Sequence, residues 1–462
     1  MAIDATPVRT LMNPEPGRAN RNKAPRIEWF YVSLIVWMMV GVYLEIPLIL
    51  GQGYIPGIML VLAAPVMALF VWRDIERQDW LFIGAFASLA IVSIILSPGS
   101  EYILAKLKGV AQLLFSCGLM IVLVKSCKRI GESTLYWCSV AAALIIGSGL
   151  LLEFFVPAVK DISDEARVRL YSAGDSGFGY GIYEGTARDE EMVGKDRAKF
   201  FTSEPSAAAE GVMIFSLCCL ILRDDTRTIA VFAYANVCAF LTTGSPVISA
   251  SLVAGVIALV RFNLWRRRTV LIIGASLLTF SFAIPAVRDV LGKQIERLSD
   301  GIDEYGDLSI FSRLGVPYLR ALPNVAQKAP IFGVGVGGKE ILGEWSGDKL
   351  AEFGTEFSVG TNAFVLIFLY YGLVGGVIYY WLFYRYLKAN RIKYLILFAI
   401  IWAAYGNTTG ALESPRFWTY TGFLVSAFWC RSQRPVQTRG RLSQSAPPEL
   451  RSRIEPTPHV AR

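Results

Sequence analysis

Leu81-Phe82-Ile83-Gly84-Ala85-Phe86-Ala87-Ser88-Leu89-Ala90-Ile91-Val92-Ser93-Ile94-Ile95-Leu96-Ser97 runs without a single charge. A helix rises about 1.5 Å per residue, so an apolar run approaching twenty residues matches the hydrocarbon core of a bilayer. Arg73 and Arg77 precede the run, whereas 98–101 after it holds no Lys or Arg. Comparable runs lie at 29–49, 55–72, 102–124, 134–157, 205–222, 228–243, 245–260, 269–287, 361–384, 394–406 and 418–430. The expected fold class is all-α, a polytopic integral membrane protein with about 12 transmembrane helices.

Composition agrees. Of the 462 residues 54% are hydrophobic and only 18% charged, the aromatic content is 13%, and mean hydropathy is +0.46. A soluble core cannot absorb so many long apolar runs. The formal net charge of +8 does not point to nucleic acid, because the basic residues cluster at the ends of apolar runs. Alternate connections carry Arg73 and Arg77; Lys125, Lys128 and Arg129; Arg223 and Arg227; Arg261 with Arg266, Arg267 and Arg268; and Arg385, Lys388, Arg391 and Lys393. Short connections of the other parity, near 50–54, 98–101 and 244, carry none. By the positive-inside rule both termini are cytoplasmic, and Gly244-Ser245-Pro246 is a hairpin between two helices. This division gives a disordered cytoplasmic N-terminus over 1–27, a membrane domain over 28–430, and a disordered basic cytoplasmic tail over 431–462. Two long extracytoplasmic loops follow, at 158–204 and 288–360, with a shorter one at 407–417. The seven cysteines lie in or beside apolar runs without metal-ligand spacing, and read as small apolar fillers.

Chemistry is expected in the long loops. The first contains Gly174-Asp175-Ser176-Gly177-Phe178-Gly179-Tyr180-Gly181-Ile182-Tyr183. Phe178, Tyr180 and Tyr183 offer flat apolar faces of the kind that sugars stack on; a flexible surface loop would read the same. The loop ends in Lys199-Phe200-Phe201-Thr202-Ser203-Glu204-Pro205-Ser206. Pro205 fits the first helical turn with Ser203 as its cap, which puts Glu204 at a helix N-terminus. A carboxylate there can act as a general base, or it can only complement the dipole. Glu210 lies deeper in the same span, where a carboxylate is expensive and a functional candidate.

The second loop has apolar residues at Leu314, Tyr318, Ala321, Leu322 and Val325, which is helical spacing. Arg313, Arg320, Asn324 and Lys328 fall on another face as a basic stripe. Such a stripe suits a phosphate-bearing ligand or lipid headgroups. Pro317 and Pro323 predict a broken helix. Pro330-Ile331-Phe332-Gly333-Val334-Gly335-Val336-Gly337-Gly338 lacks the strand-helix unit of a dinucleotide site, so close backbone packing is expected of it.

The order of four motifs resembles the bacterial O-antigen ligase and O-antigen polymerase (Wzy-type) superfamily over roughly Phe200 to Gly376. They are Phe201-Thr202-Ser203-Glu204-Pro205-Ser206; Leu241-Thr242-Thr243-Gly244-Ser245-Pro246; Ser312-Arg313-Leu314 with Pro330-Ile331-Phe332-Gly333-Val334-Gly335; and Thr361-Asn362 followed by Gly372-Leu373-Val374-Gly375. The resemblance implies a GT-C-like membrane glycosyltransferase without cofactor or metal, sited in the bacterial cytoplasmic (inner) membrane with its active face extracytoplasmic. Its substrate would be a polyprenyl (undecaprenyl) diphosphate-linked oligosaccharide, and its partners membrane lipids, a flippase and a chain-length regulator, with no nucleic acid. Arg313, joined by Arg320, would hold the diphosphate. Together with the residues singled out in the loops and spans, the expected substrate-contacting set takes in Asn324, Lys328, Lys199, Glu210, Thr361, Asn362, Phe178, Tyr180 and Tyr183.

The ligase pattern puts a His before the Asn of the fourth motif, but Thr361 stands here, and the only histidine is His459 in the tail. The hairpin departs too, with Pro246 where ligases often have Arg. The chain therefore reads as a polymerase of lipid-linked repeats in exopolysaccharide or O-antigen assembly, with Glu204 as base. The alternatives are a ligase of finished glycan, and a lipid-linked glycan flippase or secondary transporter.

Overall fold

A computed structural model describes residues 25–50, 53–55, 57–171, 196–264, 311–346 and 362–434, with isolated positions 272 and 292. The helices are α1 Pro25–Leu44, α2 Ile58–Val71, α3 Arg77–Leu96, α4 Ile103–Phe155, α5 Pro157–Tyr171, α6 Pro205–Leu222, α7 Thr226–Thr243 and α8 Pro246–Arg261. A π-helical stretch Phe311–Ala321 then leads into α9 Leu322–Lys328. After it come α10 Lys339–Ser346, α11 Ala363–Ala389, α12 Leu395–Thr408 and α13 Pro415–Gln433. A helix lies over every expected span except 269–287, which falls outside the described residues.

The architecture is not purely helical. The first expected span, 29–49, stops at Leu44, and β1 Leu48–Leu50 pairs antiparallel with β2 Gly53–Ile55, Leu48 opposite Ile55. Pro47 explains the stop, since it cannot donate a helical bond and disfavours helix at Ile46. The expected hairpin at Gly244 is present. Gly244 takes a left-handed conformation (φ 55°) that ends α7, and Ser245 caps α8 by accepting from the Val247 amide.

Four stretches are long and apolar enough to cross a membrane: α3, Ser100–Phe155, α6 and α11. Trp29–Leu44, α8 and α12 are apolar but shorter. This is the make-up of an α-helical membrane protein. Position α6 is central: each of its residues from Pro205 to Leu222 is buried, as expected for a helix apolar on all sides. It packs against α4, α7, α8 and α13. Cys218 and Cys219 fill this centre as small apolar groups, and Cys117, Cys127, Cys238 and Cys430 are buried likewise.

Two long helices are broken by left-handed glycines, α4 at Gly131 (φ 76°) and α11 at Gly372 (φ 69°). The break in α11 exposes backbone groups that the glycine-rich strap 330–338 satisfies. The amides of Val334 and Gly335 donate to the carbonyls of Leu369 and Tyr370 (3.0 and 2.9 Å). In return, the amides of Leu373 and Gly375 donate to Pro330 and Ile331 (2.7 and 3.1 Å). On its other side the strap meets α4, where a Cβ on Gly109 would come 2.8 Å from the Gly337 Cα. The expected close backbone packing of these glycines is therefore present, and it joins the third and fourth motifs.

Connections of alternate parity gather at opposite ends of the bundle. At one end Lys125 pairs with Asp79 (2.7 Å), Arg431 with Asp224 (2.6 Å), and Lys128 donates to Asn390 (2.9 Å). The other end holds the turn after α1, residues 196–204, the strap, Asn362 and the α12–α13 connection.

Candidate functional site

The turn 199–203 sits at this second end, and its backbone is held by side chains from other elements. The Glu153 carboxylate on α4 accepts from the amides of Lys199 (3.0 Å) and Phe200. Ser163 Oγ accepts from Phe201 N (3.0 Å) and donates to Glu153 (3.0 Å). Arg167 Nε donates to the Thr202 carbonyl (2.9 Å), while its Nη1 pairs with Asp164 (2.6 Å). The hydroxyls of Tyr43 and Tyr171 donate to the carbonyls of Phe200 (2.8 Å) and Phe201 (3.1 Å). These bonds hold Phe200 (φ 40°) and Phe201 (φ 67°) in left-handed conformations that bulky residues avoid. Burial pushes the pKa of the Lys199 ammonium down, with the Arg167 charge acting the same way.

The turn delivers Glu204 to the N-terminus of α6. Glu204 itself is the capping residue (φ −149°, ψ 157°), not Ser203 as the sequence suggested, and its side chain makes no cap hydrogen bond. Pro205 occupies the first turn as expected. Because the clamp carries the strain of the turn, Arg167→Ala is expected to lower stability by about 2–4 kcal/mol, the cost of orphaned buried carbonyls and a lost charge-assisted bond. Arg169→Ala, on the exposed side of α5, should stay within about 0.5 kcal/mol. Thermal unfolding in detergent measures both, and equal midpoints would refute the clamp.

Beneath Glu204 lies an ion-pair cluster. Arg416, in the first turn of α13, pairs through Nη1 with Glu45 (3.0 Å) and through Nε with Glu210 (3.3 Å). Ser414 Oγ donates to the other Glu45 oxygen (3.2 Å). Glu210 is buried, with Arg416 as its ion-pair partner. Glu204 and Glu210 share α6, one capping it and the other buried within it.

Arg313 is half-buried, and its Nη1 donates to the Thr408 carbonyl (2.9 Å). Asn362 caps α11 by accepting from Val365 N (3.0 Å). Its Nδ2 donates to the Arg313 carbonyl (2.7 Å) and to Asn407 Oδ1 (3.0 Å). Tyr318 also donates to Asn407 (2.6 Å), so the third motif is tied to the fourth through one amide.

The expected basic stripe is not a single face. Arg313 is turned toward α11 and α12. Asn324 Nδ2 is taken up by the carbonyls of Arg320 (3.0 Å) and Trp345 (2.7 Å). Lys328 is exposed, with its ammonium 5.0 Å over the Trp345 ring. Tyr318, expected on the buried face, is 37% exposed. The reason is the π-helical winding of 311–321: at roughly 4.4 residues per turn, the seven-residue step from Arg313 to Arg320 no longer closes two turns. Thr361, Phe178, Tyr180 and Tyr183 lie outside the described residues.

Sequence reasoning missed Glu45, Glu153, Arg167 and Arg416. Arg416 left one readable trace: Ser414-Pro415-Arg416 is a cap and N1 proline opening an apolar helix, the same pattern that drew attention to Glu204. Compared with models of known protein families and with curated proteins, the chain shows no match.

Proposed function

We propose that the protein is a polysaccharide polymerase of the O-antigen polymerase type. It joins polyprenyl-diphosphate-linked oligosaccharide repeats on the outer face of a bacterial cytoplasmic membrane, with about twelve spans in a GT-C-like arrangement and both termini cytoplasmic. The observation that carries this reading is that Glu204 caps the helix that buries Glu210, while Asn362 and Thr408 hold Arg313 at the same end of the bundle. In the reaction the acceptor hydroxyl attacks the anomeric carbon as Glu204 takes its proton. The bond from that carbon to the diphosphate oxygen breaks, the configuration inverts, and the carrier leaves as a diphosphate stabilised by Arg313. Asn362 is a positioning residue, because it holds the backbone of Arg313. An apolar groove of about 460 Å³ is lined in part by Tyr43 and by Phe200 of the turn that leads to Glu204, and its lining suits an isoprenoid chain. A flippase would supply the substrate and a chain-length regulator would limit the product.

The test is deletion of the gene in its host, with analysis of the accumulated lipid-linked glycans. Single repeats on the carrier are expected. Wild type should restore long chains, and Arg313→Ala or Glu204→Gln should cut polymer formation by roughly 100-fold or more. Finished chains left on the carrier would make the protein a ligase instead, and an unchanged glycan profile would overturn both enzyme readings.

A further inference from the structure

Helix α11 bends back on itself at Gly372. A straight helix would put Phe364 and Tyr380 about 24 Å apart. Instead the Tyr380 hydroxyl donates to the Phe364 carbonyl (3.0 Å), and their ring centroids are 5.4 Å apart. Phe368 packs on the same tyrosine, its ring centroid also at 5.4 Å. Between this folded helix and α12 runs an apolar groove of about 540 Å³, a volume in the range of ligand sites. Phe364 and Ala403 line it at one end, Leu387 and Leu395 at the other. The first end adjoins Arg313. Asn362, just before Phe364 in the chain, donates to the Arg313 carbonyl (2.7 Å). Asn407 donates to the Ala403 carbonyl (2.8 Å) and accepts from Asn362 (3.0 Å). Arg313 in turn donates to Thr408, the last residue of α12 (2.9 Å), and among the described residues its charge has no ion-pair partner. The second end lies among the basic connections, next to Lys388 and Lys393.

We propose that this groove holds the isoprenoid chain of the donor, the lipid-linked glycan whose carrier leaves, with the donor's diphosphate at Arg313. The assignment rests on the polymerase reading above. That reaction joins two lipid-linked partners, so two chains need a place. The groove at Tyr43 and Phe200 adjoins the turn before Glu204, the group that takes the acceptor's proton, and is the acceptor's. The α11–α12 groove adjoins the group that holds the leaving diphosphate, and is the donor's. In a bilayer a hydrocarbon chain gains no hydrophobic energy by leaving lipid. The groove therefore acts by packing, with Phe368, Phe383, Phe398 and Trp402 as flat walls for a methyl-branched chain. Charge selects the occupant. A diphosphate brings more negative charge to Arg313 than the single phosphate of a phospholipid does. The N-terminus of α11, capped by Asn362, adds the positive end of a helix dipole at the same place. A chain seated below Arg313 also fixes the orientation of the diphosphate that has to leave.

The test uses undecaprenyl diphosphate with a photoreactive diazirine in its chain, added to the full-length protein in phosphatidylcholine nanodiscs. Labelled peptides are mapped by mass spectrometry. Label is expected on the α12 wall, and excess inorganic diphosphate should reduce it. Arg313→Ala should cut it roughly tenfold or more, the loss of one charge-assisted bond. Ala399 is exposed on the groove wall, so Ala399→Trp fills the groove without entering the core. It should cut the label roughly tenfold, the equivalent of about ten lost carbon–carbon contacts. Ile396→Trp, exposed on the same wall, repeats the test should Ala399→Trp fail to accumulate. Ala141→Trp, in the groove at Tyr43, should leave the α12 label unchanged. Label that survives both Arg313→Ala and inorganic diphosphate would mean that the groove holds bulk lipid, and would overturn the proposal. An unlabelled α12 together with loss of polymer in Arg313→Ala would overturn the groove and leave the polymerase standing. The expected labelling with an unchanged glycan profile on gene deletion would remove the polymerase and leave an isoprenoid diphosphate site.

Discussion

Gly333→Ala is expected to prevent accumulation of folded protein. Gly333 sits at φ 62°, and a Cβ there would lie 2.3 Å from the Leu369 carbonyl oxygen and 2.5 Å from the Gly372 amide nitrogen. Both obstacles are backbone, and both belong to the break in α11, so neither can swing aside as a side chain tip would. The left-handed conformation adds about 1 kcal/mol for any residue with a Cβ, and forced overpacking adds about 1–3 more. The larger cost is indirect. Pushing the strap away strands the four backbone bonds that satisfy the break, and each buried group left open costs about 1–3 kcal/mol. Gly372→Ala meets the same strap from the other side, at 2.5 Å from the Ile331 carbonyl carbon, and should behave alike. Gly343→Ala, with nothing within 4 Å of its Cβ, is the control. Fluorescence-detected size exclusion of detergent extracts reads the outcome. A monodisperse Gly333→Ala peak melting with wild type would show that the strap does not enter the helix break.

The second large effect is expected at Arg416→Leu. Removing the guanidinium leaves Glu45 and Glu210 buried beside Glu204 without their cation. Breaking a buried pair from one side costs about 3–5 kcal/mol, because the remaining charge is neither solvated nor paired. The deficit should shrink in Arg416→Leu combined with Glu210→Gln, since the neutral amide no longer needs the cation. A Glu210→Gln change alone should cost less than Arg416→Leu, because Arg416 keeps its bond to Glu45. Melting temperatures of the three variants check the order. Additive effects, with no recovery in the double variant, would mean that Arg416 stabilises the fold by packing alone.

Much of the fold was legible in the residues. Apolar runs gave the positions of α1 to α4, α6 to α8 and α11 to α13 within about five residues, whereas α5 and α10 lie in stretches expected to be loops; the alternation of basic connections matches the two ends at which the connections gather. The hairpin at Gly244 and the N1 proline of α6 followed from local chemistry, because turn and cap residues act over three or four positions. Of the site, Glu204, Glu210 and Arg313 were singled out from their places in apolar or loop segments. The contacts that hold them were not, since nothing local relates the turn before Glu204 to Glu153 and Arg167, or Arg313 to Asn362 and Thr408.

What the sequence by itself determined is the set of long apolar helices, their order, and which short connections carry positive charge. Those are properties of single segments, set by hydropathy, helical periodicity and capping. Only the tertiary structure decided that Arg416 reaches Glu45 across 371 positions, and that a strap of glycines fills a break in α11. It alone showed that Glu153, Ser163 and Arg167 hold a strained turn so that Glu204 caps α6. These contacts depend on which helices become neighbours, and apolar faces that all look alike in sequence do not encode the choice residue by residue. The choice is made by close packing and by the demand that every buried backbone group and charge find a partner.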